Sequence, residues 1–219
     1  MESLRRHRLV RVTSEGWAAV LDRPWDAQAR ECLTHWATHR LPLVITRQPV
    51  GANDRIAVGL PAPGRWDRRR LALQVPRTAV ECFEEFPALD QVMALLPPSA
   101  RSSARELQDA LAARQSTARV FGSYGWQAIS GLDHLRASSD LDVCVAVSDA
   151  KHADAVALSL SRFIAPPRLD GELMFADGTA VAWREWLDWR AERSRFVMLK
   201  GLTGASLRQD AQWCEAVAA

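Results

Sequence analysis

The most constraining stretch of this chain is residues 138–147, SSDLDVCVAV. Its apolar positions and β-branched valines describe a strand, yet aspartates stand at 140 and 142. Residues two apart on a strand project from one face. Asp140 and Asp142 therefore share a face, and Leu141 and Val143 take the other. Aspartate is poor in both strands and cores, and two neighbouring carboxylates each resist ionisation unless a cation lies between them. Magnesium suits such a pair, because it takes oxygen ligands, commonly one or two carboxylates together with phosphate oxygens.

The segment just upstream supplies the complement. Residues 117–123, TARVFGS, read as a strand entering a turn, and YGWQAIS (124–130) as a short helix. Gly122 permits close backbone approach, and Ser123 opens a helix whose free amides favour phosphate. A third carboxylate is expected on the strand 168–175, RLDGELMF, where Asp170 and Glu172 again share one face. Asp170 is the first choice, beside Gly171 near the strand start, with Glu172 as the alternative. Either motif alone also fits a polar-edged strand or an ordinary turn. In this order, with an acidic strand following, the combination is much more specific.

Around these motifs the second half alternates strand and helix: KHADAVALSLSRF (151–163) and AWREWLDWRAE (182–192) are helical, and RFVMLK (195–200) is a last strand. Trp183, Trp186 and Trp189 recur at helical spacing and are expected to face a core. The first half differs. A helix over 26–39 with Asp26 as N-cap is followed by three short runs, 43–48, 54–60 and 69–75, separated by Pro, Gly, Asn and Asp. That pattern predicts an antiparallel sheet. Residues 76–115 read as mostly helical, with Ser102 or Ser103 capping a helix over 104–114. The stretch Pro97–Ser103 is the best linker, so the expectation is two domains, 1–97 and 98–219.

A length of 219 residues supports either one large or two small domains. The net charge of +2 is too small for bulk nucleic-acid binding. Cys32, Cys82, Cys144 and Cys214 form no ligand cluster and are expected to be reduced and buried. The N-terminus lacks the apolar core of a signal peptide, and no apolar run approaches a membrane span. A cytoplasmic protein is expected.

Gly-Ser, a helix, Asp-x-Asp on a strand and a later acidic strand resemble the nucleotidyltransferase fold of the DNA polymerase beta superfamily. The interval from Ser123 to Asp140 is longer than is common there and fits one branch. GSYGWQAISGL, SSDLDV, RLDGEL and AVAWREW are similar to the malonate decarboxylase holo-acyl-carrier-protein synthases, also called phosphoribosyl-dephospho-CoA transferases. LPLVITRQP, IAVGLP and RRRLALQVP extend the resemblance through the first half.

The resemblance implies an α/β (α+β) fold: a small N-terminal mixed α/β domain with antiparallel strands, and a C-terminal nucleotidyltransferase-fold domain with a mixed sheet. It implies transfer of the 2′-(5″-phosphoribosyl)-3′-dephospho-CoA group from its triphosphate to a serine of the acyl carrier subunit of malonate decarboxylase, with release of pyrophosphate. In that chemistry Asp140, Asp142 and Asp170, or Glu172 in place of Asp170, would hold Mg²⁺ and serve catalysis. Gly122, Ser123, Lys200 and Arg136 would bind phosphate. Trp126 is a candidate for the substrate side and His134 reads as a surface histidine. The arginines at 5, 6, 8 and 11 and at 65 and 68–70 usually mean a solvated face, but also suit an acidic carrier or a phosphate-rich donor. Arg47 is a third place for the first domain to meet the donor. Two other readings use the same motifs: a nucleotidyltransferase that takes ATP to another acceptor, and a non-catalytic carrier-binding module.

Overall fold

The structure, a computed structural model, describes residues 4–51 and 54–209. Two sheets organise it. The first is antiparallel and is built from β1 (Arg8–Val12), β2 (Leu43–Ile45), β3 (Arg55–Pro61), β4 (Arg70–Pro76) and β5 (Val80–Glu85), in the order β4-β3-β2-β1-β5. Helices α1 (Ser14–Leu21) and α2 (Ala27–Thr38) pack with it. Asp26 caps α2 as expected, accepting from the Ala29 amide at 2.9 Å. Ala29, Cys32, Leu33 and Trp36 on one face of α2 are buried.

The second sheet carries β6 (Ala118–Val120), β7 (Leu141–Ala146), β8 (Leu169–Met174), β9 (Ala180–Ala182), β10 (Val197–Lys200) and β11 (Ala205–Arg208), in the order β11-β10-β9-β8-β7-β6. It is mixed: β7 and β8 are parallel, and the other neighbours are antiparallel. Helices α3 (Arg101–Ala112), α5 (Ala150–Ser161) and α6 (Trp183–Arg190) share one core with it, and α4 (Gly122–Ser130) links β6 to the loop before β7. The expected α+β arrangement of two domains, one antiparallel sheet and one mixed sheet, is what the structure has. The three tryptophans of α6 are buried in this second core.

Several local expectations are corrected. Residues 80–85 form a strand, not a helix. β5 is rich in glutamate because it lies at the sheet edge beside the arginines of β1, with Arg11 Nε 2.6 Å from Glu84 and Arg8 Nε 3.6 Å from Glu85. Residues 89–95 are a 3₁₀ helix, and Leu89, Val92 and Leu96 belong to the second core. Ser102 and Ser103 lie inside α3 rather than capping it, because a 3₁₀ turn at Pro98–Ala100 leads directly into the helix. β1, α1, β9 and β11 were not anticipated. Of the cysteines, Cys32 and Cys144 are buried, Cys82 is exposed, and Cys214 lies outside the described residues.

The domains are joined by more than the connecting chain. α4 inserts Trp126 into the first core, 5.5 Å edge-on from Phe86 and 6.4 Å from Trp36. His7 stacks on Phe121 at 4.1 Å. Arg47 Nε donates to the Thr203 carbonyl at 2.8 Å, so that arginine braces the turn between β10 and β11.

Candidate active site

β7 sets its alternation against the second core: Leu141, Val143 and Val145 are buried within it, and Asp142 turns to the opposite face. β8 repeats the arrangement with Leu169 and Leu173 inward. Parallel pairing places Asp142 and Asp170 as Cα partners, so their backbones lie about 4.8 Å apart. Asp140 immediately precedes β7. The three aspartates therefore gather at the N-terminal edge of the parallel pair. Arg168 spans two of them, with guanidinium nitrogens 4.0 Å from Asp140 Oδ2 and 3.7 Å from Asp170 Oδ2.

Burial first, and then the charges of Asp170, Asp140 and Glu172, push the Asp142 carboxyl up to about 6. A carboxylate raised by desolvation and like charge is one that a cation would relieve.

The Gly-Ser turn is fitted to this carboxylate. The Phe121 amide donates to the Asp142 carbonyl at 3.0 Å. Gly122 has φ +62°, and a Cβ there would stand 2.1 Å from Asp142 Oδ2. Only glycine brings the start of α4 so close to the acid. The first-turn amides of α4 lack intrahelical acceptors and lie beside the aspartates.

Glu172 has a different environment. Its side chain is 8% exposed. It accepts from Lys200 Nζ at 2.8 Å, meets His7 Nε2 at 2.7 Å and lies 3.3 Å from Arg6 Nη2. Burial alone would raise this carboxyl, but the hydrogen bonds from His7 and Lys200 and the charges of His7 and Arg6 hold it well below the usual carboxylate range. Glu172 thus ties the N-terminal segment to the second sheet, and Lys200 is bound up in that tie. Asp170 is free of it, accepting only from its neighbouring Gly171 amide among the described hydrogen bonds.

A cleft of about 720 Å³ opens between the domains. Gly122, Ser123, Arg136 and Asp142 line one side, and Arg68 and Arg70 of the first domain line the other. His134 and Trp126 also border it. His134 is not a surface residue: it is 4% exposed, and the loop folds it toward Trp126, whose ring lies 6.4 Å away. Burial first, then the charge of Arg68, lower its pKa to about 4. The first domain's share of the cleft is what residue patterns did not reveal. The run Arg68–Arg70 was visible, but which arginines face inward depends on sheet register. Among the described residues no group of three or more His, Cys, Asp or Glu side chains stands ready to hold a metal ion, and no helix is long and apolar enough to cross a membrane.

Residues 5–86 match the phosphoribosyl-dephospho-CoA transferase MdcG N-terminal domain, and residues 88–211 match the phosphoribosyl-dephospho-CoA transferase MdcG C-terminal domain. The chain belongs to this family. The phosphoribosyl-dephospho-CoA transferase family therefore accounts for both halves, and the junction of the two matches falls where the first core gives way to the second. A phosphoribosyl-dephospho-CoA transferase of Bradyrhizobium diazoefficiens is 40% identical over 186 residues, which is 82% of this chain and 80% of the relative. Proteins of the same name from Xanthomonas axonopodis pv. citri and Pseudomonas syringae pv. tomato are 33% and 30% identical, over 83% and 80% of this chain and 84% and 82% of the relatives. No solved structure is significantly similar to the chain. Family membership makes the protein a transferase enzyme acting on a dephospho-CoA-derived substrate.

Proposed function

We propose that the enzyme transfers the phosphoribosyl-dephospho-CoA group from its triphosphate precursor to a serine hydroxyl of an acyl carrier protein, the carrier subunit of malonate decarboxylase, and releases pyrophosphate. The observation that carries this reading is the in-register pair Asp142–Asp170 with the glycine start of α4 pressed against it. Such a site offers anionic ligands and phosphate-binding amides within a few ångströms of each other.

The donor set suits Mg²⁺. Asp142 and Asp170, with Asp140 beside them, supply hard oxygen ligands, and donor phosphate oxygens complete such a sphere. Burial and like charge raise the Asp142 carboxyl, and Arg168 lies across Asp140 and Asp170, so a cation held here would relieve the repulsion. When bound, the ion supplies charge neutralisation on the phosphates.

The chain's own groups do the rest. The amides of Gly122 and Ser123 and the exposed Arg136 orient the triphosphate. The carrier serine Oγ attacks the phosphorus attached to the ribose, and the bond from that phosphorus to the pyrophosphate oxygen breaks in line. Asp170 takes the serine proton on a carboxylate oxygen. No protein nucleophile is required.

The test is pyrophosphate release with donor and apo carrier. One pyrophosphate per carrier is expected, with none when the carrier serine is replaced by alanine. Equal release without carrier, or attachment of AMP from ATP, would replace this reading with another nucleotidyl transfer.

A further inference from the structure

The first domain's sheet turns its outer face toward the cleft. Leu9, Val44, Gly59 and Ala72 form one register row across β1, β2, β3 and β4. Leu9, at the β1 end, is 1% exposed, whereas Ala72, at the β4 end, is exposed. Leu9 is buried in the first core, and the row opens to solvent only at its β4 end. Half-buried Val44, buried Gly59 and exposed Ala72 all line the cleft and give it a wall of small side chains. Arg70 stands at its edge as the partner of Pro61, two residues from Ala72 on the same face. Arg70 is exposed and has no side-chain partner among the described residues. Arg68 differs: its guanidinium is spent on the His134 carbonyl at 2.8 Å and braces the domains. His134 Nε2 is buried in the same wall without a partner among the described residues.

The cleft is too large for the aspartate site alone. Its volume lies in the range of sites that enclose whole small ligands. Asp142, with Gly122 and Ser123 at the start of α4, accounts for a triphosphate at one end. The rest is a smooth, small-residue surface with one unengaged guanidinium, which matches a phosphate-bridged molecule with a long uncharged arm.

We propose that the outer face of β2–β4 binds the dephospho-CoA portion of the donor, with Arg70 paired to its diphosphate and the uncharged arm lying over Val44, Gly59 and Ala72. This rests on the donor named above and assigns the first domain its role: it holds the part of the substrate that does not react. Arginine suits a diphosphate because its planar fork donates two hydrogen bonds at once.

The test uses the full chain and calorimetry with 3′-dephospho-CoA, which lacks the triphosphoribosyl group. Arg70→Ala is expected to weaken binding about tenfold or more. Ala72→Trp, at an exposed position that folding does not constrain, is expected to block it. Tripolyphosphate, a probe of the aspartate end, should bind both variants as it binds wild type. Unchanged dephospho-CoA affinity in both variants overturns the proposal. So does a wild-type enzyme that consumes the complete donor but does not bind dephospho-CoA, and the transfer reading then survives. A wild-type enzyme that neither binds dephospho-CoA nor consumes the donor overturns both.

Discussion

Asp142 and Asp170 are Cα partners across the one parallel pair of the second sheet, and their carboxylates face the same side. Neither contributes to the core beneath. The protein keeps two like charges side by side, and burial together with that like charge raises the Asp142 carboxyl.

Asp142→Asn is expected to abolish transfer, by at least about 10²-fold, and to stabilise the fold by about 1–2 kcal/mol, since it removes a half-buried repelling charge. Carrier modification and thermal unfolding measure the two effects. Loss of both activity and stability would place Asp142 in packing instead.

The two acids of β8 should separate in the same assays. Asp170→Asn is expected to lose activity and keep its melting temperature. Glu172→Gln leaves Arg6, His7 and Lys200 gathered around a neutral amide, and is expected to cost about 2–4 kcal/mol of stability. Urea unfolding of both variants decides this; equal stabilities would contradict the division of roles.

Gly122→Ala places a methyl group 2.1 Å from Asp142 Oδ2 at φ +62°. The strained backbone alone costs about 1–2 kcal/mol. Activity should fall further than stability, because the displaced atom is the carboxylate itself. A fully active alanine variant would mean that the α4 start does not need its closeness to the acid.

His134 makes stability depend on pH. Its pKa is lowered in the folded protein from 6.5 to about 4. Arg68 opposes its protonation and Asp133 favours it, but burial is the leading cause. The unfolded chain therefore binds the proton more readily than the folded one. The contribution is intact above about pH 6.5 and is lost progressively as pH falls toward 4, up to about 3 kcal/mol. His134→Gln should flatten that part of the stability profile, as read from urea midpoints between pH 7.5 and 4.5. Parallel profiles would show that His134 is not the source.

The catalytic half was legible because its signals are local. Alternation over 138–147 and 168–175 put Asp142 and Asp170 on matching faces, and parallel register then made them neighbours. The Gly-Ser turn was legible for the same reason. What could not be read depends on partners distant in sequence. β5 is held at an edge by arginines some seventy residues earlier, as in the Arg11–Glu84 pair, so its glutamates resembled a helix surface. His134 is buried by Trp126 and the first domain, which no local pattern records. Lys200 and Glu172 lie on different strands, and their pairing depends on the order of the sheet. Arg70 differs from its neighbours only through its register opposite Pro61.

The proposed transfer to a carrier serine stands or falls with this acidic pair. The most direct measurement is the intact mass of apo carrier incubated with Mg²⁺, the triphosphoribosyl donor and either wild-type or Asp142→Asn enzyme, with ATP replacing the donor in a parallel tube. A gain equal to phosphoribosyl-dephospho-CoA is expected with wild type and donor only. A gain of AMP in the ATP tube, an equal gain with Asp142→Asn, or no gain from folded wild-type enzyme would contradict it.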